Sequence, residues 1–151
     1  MRTVISYSRP DKNAAAALAQ ILVQMGVEVW WDQQLSAGQT FNRVIDSQIR
    51  AADTVIVLWS PKSIDSTWVI NEATLALDLG KIIPIKIQPC SPRLPFYGIH
   101  TPEVFWEEAF GRFSDIQTLF DTLRLSTTRC SVRQRLCLFT ARHFCLLERV
   151  S

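Results

Sequence analysis

Short apolar runs along the chain alternate with stretches whose apolar residues recur every three or four positions. Thr3-Val-Ile-Ser-Tyr7 reads as a buried strand. Ser8 to Lys12 is a turn in which Asp11 fits a helix N-cap, and Leu18, Ile21, Leu22 and Met25 then follow at helical spacing. Gly26 suits the position just past that helix. Val27 to Trp31 is a second strand, and Asp32 to Gly38 is a polar loop. Thr40 can cap a helix that turns Phe41, Val44, Ile45 and Ile49 inward. Thr54 to Trp59 is the most apolar run, which suits a central strand. Lys81 to Ile87 is a fourth strand, and its Pro84 favours an edge or a bulge. A loop punctuated by proline runs from Pro89 to Pro102, and Glu103 to Trp106 reads as a short fifth strand. Phe113, Ile116, Leu119, Phe120 and Leu123 mark a last helix.

Strands separated by helical stretches of roughly 10–15 residues predict a mostly parallel sheet with helices on both faces. The expected architecture is α/β, a flavodoxin-like three-layer fold with five strands in the order 2-1-3-4-5. In such a sheet the ligand crevice lies beyond the carboxyl ends of the strands, where the order reverses between strands 1 and 3. The loop from Ser6 to Asp11 and the loop from Ser60 to Trp68 are then expected to face one hollow.

The helix after strand 3 carries an awkward charge. With Ser66 as N-cap, a turn of about 100° per residue puts Trp68, Glu72, Leu75 and Leu79 on one face. Val69, Ile70, Ala73, Ala76 and Leu77 continue that apolar arc, while Thr67, Asn71, Thr74 and Asp78 form a polar strip. Glu72 therefore stands inside the arc, one turn beyond an indole, and is either paired or at work.

With 151 residues, the chain has room for one domain with a real core. The net charge of +2 points to neither nucleic acid nor membrane, and its distribution says more. Residues 1–126 hold 11 Lys/Arg against 13 Asp/Glu, whereas residues 127–151 hold five Arg against Glu148. Three of the four cysteines, Cys130, Cys137 and Cys145, also lie in that tail. A domain over 1–126 followed by a basic tail over 127–151 is the expected organisation. Val132, Leu136, Phe139 and His143 in the tail lie at helical spacing, which fits an amphipathic helix. The abrupt change in composition equally fits a truncated or non-native end, and no role is assigned to the tail. No segment has the length of a membrane span, and the first residues read as a strand and not as a signal peptide, so reduced thiols and a cytoplasmic location are expected. His100 and His143 are isolated and the cysteine spacings fit no zinc signature, so no metal is expected.

Three segments together carry a resemblance. Ile5-Ser-Tyr-Ser-Arg-Pro-Asp11, Val29-Trp-Trp-Asp-Gln-Gln-Leu-Ser-Ala-Gly38 and Ser60 to Glu72 are similar, in order and spacing, to the signatures of bacterial Toll/interleukin-1 receptor (TIR) domains. The last resembles the family's Trp-x-x-x-Glu motif, and Asp32-x-x-Leu-x-x-Gly38 resembles its mobile BB loop. Val69 stands where many members have Cys, the loop lacks the Pro of animal receptors, and the tail has no counterpart.

The resemblance implies cleavage of the bond between nicotinamide and ribose in NAD⁺, with Glu72 as the catalytic residue. It implies substrate contacts from Ser6, Tyr7, Ser8, Arg9, Asp32, Ser66 and Trp68, and lid and assembly contacts from Leu35 and Gly38. It further implies self-association through like domains, a bacterial immune or antiphage role, and a sensor or regulatory module beside the domain. NAD⁺ is then a substrate and no cofactor is expected; the dinucleotide fingerprint G-x-G-x-x-G is absent, because the five glycines are scattered singly. A single carboxylate suits this chemistry. Nicotinamide leaves neutral from a cationic glycoside, so the general acid of ordinary glycosidases is not required.

Plainer readings stand beside these. Glu72 fits a surface ion pair, Trp68 a core indole, Arg9 and Asp11 a helix start, Asp32 a turn, and Ser60, Ser63 and Ser66 turn or cap positions. The chain as a whole fits a non-catalytic scaffold that joins like domains. A phosphorylatable receiver domain fits poorly, since it needs acidic residues where this chain has Ser-Tyr-Ser and Trp59-Ser60.

Overall fold

The computed structural model describes residues 1–31 and 39–127. The loop Asp32 to Gly38, with the expectations placed on Asp32, Leu35 and Gly38, lies outside the described residues, as does the tail from 128 to 151. In chain order the elements are β1 (Arg2–Ser6), α1 (Lys12–Gln24), β2 (Glu28–Trp30), α2 (Gln39–Ala51), β3 (Thr54–Trp59), α3 (Thr67–Asp78) and β4 (Ile82–Lys86). A small hairpin of β5 (Trp106–Glu107) and β6 (Arg112–Phe113) then leads into α4 (Ile116–Thr127).

The strands of the main sheet are parallel and run β2-β1-β3-β4, so the order reverses between β1 and β3 as expected for a flavodoxin-like sheet. The fifth strand is reduced. Residues 102–106 do run beside β4, with Lys86 N donating to Pro102 O, Val104 N to Lys86 O and Trp106 N to Ile87 O, each at 2.8 Å. That contact amounts to a single parallel bridge, Lys86 to Glu103, because Trp106 and Glu107 turn away to pair antiparallel with β6. Phe113 thereby belongs to β6 and not to the last helix. Pro84 lies opposite Val57 without breaking the ladder. Ile87 donates inward to Trp59 O and Lys86 outward to Pro102 O, so alternation turns the ring nitrogen of Pro84 outward, where no β3 partner is lost.

Strand alternation divides the core in two. Ile5, Ile56, Leu58, Ile83 and Ile85 pack against α1 and α4 through Ala14, Ala15, Leu18, Leu22, Leu119 and Leu123. Val4, Val55, Val57 and Trp59 pack against α2 and α3 through Ile45, Ile49, Val69, Ala73 and Ala76. Burial of the apolar runs holds the sheet, and Thr3, a buried hydroxyl within it, is paired locally, its Oγ1 meeting Thr54 Oγ1 at 3.0 Å. Lys81 Nζ donates to Arg50 O and Ala52 O, both at 2.7 Å, and so closes the carboxyl end of α2. The start of α3 is capped by Ser66, whose Oγ accepts from Val69 N at 3.4 Å.

Two glycines do what their positions require. Gly26 (φ 76°) and Gly80 (φ 65°) sit just past α1 and α3 in the left-handed region, where a Cβ is strained. Thr40 and Phe41, expected to cap and to line α2, have side chains outside the described set.

Candidate functional site

At the switch point, where the sequence places a hollow, the segments that follow β1 and β3 meet. Asp11 ties them together. Its position before α1 suggests a cap, yet its side chain makes no capping hydrogen bond. The carboxylate is buried instead, and Oδ2 accepts from the Ser8 hydroxyl and from the Ser60 hydroxyl, the latter at 2.6 Å. Ser60 Oγ in turn accepts from Lys62 N at 3.2 Å and Ser63 N at 3.1 Å, and Ser60 N donates to Ser63 Oγ at 2.7 Å. Asp11, Ser8, Ser60 and Ser63 are all buried. Read locally, these serines are turn residues; the sequence holds no sign that Ser8 and Ser60 share the carboxylate of Asp11, 49 positions from Ser60.

Glu72 and Trp68 lie one turn apart on α3, and both are half-buried. The buried stripe of this helix is Val69, Ala73 and Ala76. Trp68, Leu75 and Leu79 pack beside that stripe, so half-buried Glu72 stands between it and them, within the apolar arc. Trp68 packs against the core beneath α2 and α3.

Ser6 ends β1 on the face shared with Val4, and its buried Oγ has no hydrogen-bond partner among the described residues. Tyr7 turns to the opposite face, packs on the α1 and α4 core and meets Trp31 with ring centroids 6.0 Å apart. Ser8 is buried against Asp11, while Arg9 is exposed in the short 3₁₀ turn Arg9–Asp11. Ser66 is engaged as the α3 cap. Ser6, Trp68 and Glu72 therefore belong to the α2 and α3 face of the sheet, and Tyr7 to the other.

Cys90 is half-buried, and burial pushes its thiol up; Lys86 opposes this, while Asp11 and Glu103 add to it. Such a thiol is protonated near neutrality and is a poor nucleophile. Among the described residues no group of His, Cys, Asp and Glu is arranged to hold a metal. No described helix is long and apolar enough to cross a membrane.

A parallel sheet in the order β2-β1-β3-β4, flanked by helices, defines a flavodoxin-like α/β module. The TIR domain family matches residues 4–115, and the chain belongs to that family. Among solved structures, the TIR domain of the Toll-related receptor TRR-2 from Hydra magnipapillata is similar, with 20% identity, 67% of this chain and 82% of that chain covered, and a TM-score of 0.61. A prokaryotic SEFIR domain is similar at 19% identity, 83% and 91% coverage and a TM-score of 0.59. The Clostridium botulinum CMP N-glycosidase BcmB is similar at 14% identity, 83% and 99% coverage and a TM-score of 0.55. At these identities the likeness is one of fold. Comparison with curated proteins gives no match.

Proposed function

We propose that the chain is an NAD⁺ glycohydrolase of the bacterial TIR type, with Glu72 as its catalytic carboxylate. The observation that supports this best is the half-buried pair of Trp68 and Glu72 on one turn of α3. Departure of neutral nicotinamide leaves a ribose oxocarbenium ion, and a carboxylate in a partly dry crevice stabilises that charge more than one in water does. Trp68 walls the ribose or stacks on a base, the segment that holds buried Ser6 and Ser8 borders the nucleotide, and Arg9 neutralises pyrophosphate. Asp32, Leu35 and Gly38 serve substrate closure and self-assembly. The fold likeness to a CMP N-glycosidase is in keeping with cleavage of an N-glycosidic bond. The same site accommodates cyclisation of ADP-ribose, and an assembly-activated role in cytoplasmic antiphage signalling follows from the bacterial resemblance.

A second reading, a non-catalytic scaffold, draws on Leu94, Tyr97 and Phe110, large apolar side chains that are 84%, 78% and 71% exposed. Nicotinamide release separates the two. Purified protein at high concentration is incubated with NAD⁺ beside Glu72→Ala and Glu72→Gln. The enzyme reading expects release by the wild type and a loss of about 100-fold or more in both variants. Equal turnover by all three ends the catalytic assignment, and self-association without any release favours the scaffold.

A further inference from the structure

We infer that Asp11 is a positioning residue that locks the segment after β1 to the segment after β3, so that the two walls of the crevice hold one spacing. The consequence for catalysis rests on the reading of Glu72 and NAD⁺ given above; the lock itself does not. A buried carboxylate costs free energy unless it is well hydrogen-bonded. Here Asp11 Oδ2 accepts from a serine of each wall, Ser8 on one side and Ser60 on the other at 2.6 Å. Ser60 Oγ passes the constraint on, because it also accepts from the backbone of Lys62 and Ser63. From there the chain runs through the short 3₁₀ turn Ser63–Asp65 to Ser66, the cap of the helix that carries Trp68 and Glu72. The wall holding Ser8 and the helix holding Glu72 are thus joined by hydrogen bonds through one carboxylate. Hydroxyl donors on both sides make that carboxylate an acceptor shared between loops, and not a helix cap.

The test uses the full 151-residue chain and two readouts, amide hydrogen exchange and nicotinamide release. Asp11→Ala is expected to speed exchange in both 7–11 and 60–66 by about tenfold or more while the β1 and β3 amides hold, and to lower kcat about tenfold or more with KM little changed. Asp11→Asn keeps an acceptor oxygen and is expected to recover most of both. Should Asp11→Ala fail to fold, Ser60→Ala carries the measurement, and faster exchange in 7–11 is its expected mark. Exchange that changes only on the mutated side overturns the lock, and an unchanged kcat in an active protein overturns the catalytic consequence. A wild type that releases no nicotinamide counts against the NAD⁺ reading alone, and exchange then decides the lock.

Discussion

The rings of Trp59 and Phe96 meet with centroids 5.1 Å apart and planes inclined at 49°. This contact seats the loop that follows β4 on the carboxyl end of β3, and both side chains are almost fully buried. Phe96→Ala is expected to destabilise the fold by about 3–5 kcal/mol, measured by chemical denaturation. A loss near zero would mean that the loop does not depend on this ring.

Trp68 offers a kinetic test that rests on the proposed function. If its indole lines the ribose or base, Trp68→Ala raises KM for NAD⁺ by about tenfold, and Trp68→Phe recovers much of the loss. A fall in stability with unchanged kinetics in the folded fraction would assign Trp68 to the core alone.

Asp115 makes the start of α4 sensitive to acid. Its carboxylate accepts from Thr118 N at 2.8 Å and Thr118 Oγ1 at 2.6 Å, and these bonds hold its pKa below the ordinary value. A depressed folded-state pKa contributes stability above the unfolded-state value, about 3.9, and loses it as pH falls through the folded-state value. The Tm of Asp115→Ala should lie below that of the wild type at neutral pH, and the gap should close as the solution is acidified below the folded-state pKa. A gap independent of pH would count against the cap.

Lys81 closes the end of α2 through two carbonyls. Lys81→Met keeps the aliphatic stem and removes the donor, and it is expected to cost about 1–2 kcal/mol by denaturant titration. Preferential exchange of the last α2 amides would locate the loss.

Much of the fold could be read from local pattern. The apolar runs of β1, β3 and β4, the Ser66 cap and the glycine after α1 each follow from short-range chemistry. What the pattern hides is tertiary. Asp11 looks like a cap because capping is the local use of an aspartate before a helix, while one of its two partners, Ser60, comes from another loop. Phe113 fits the period of α4, yet its pairing with Trp106 places it in a hairpin. The inner face of α3 centres on Val69, Ala73 and Ala76, with Leu75, Leu77 and Leu79 only partly buried beside it. The pairing of Trp68 with Glu72 is legible as spacing; their partial exposure is not.

Ala73 and Ala76 act as a ruler for that helix. With only methyl groups between its axis and the strands at these two positions, α3 rests low, and the height at which Glu72 stands is fixed by the thinness of the layer beneath it. Enlarging either alanine is expected to push α3 away from the strands, so the reach of the carboxylate depends on side chains that have no chemistry of their own.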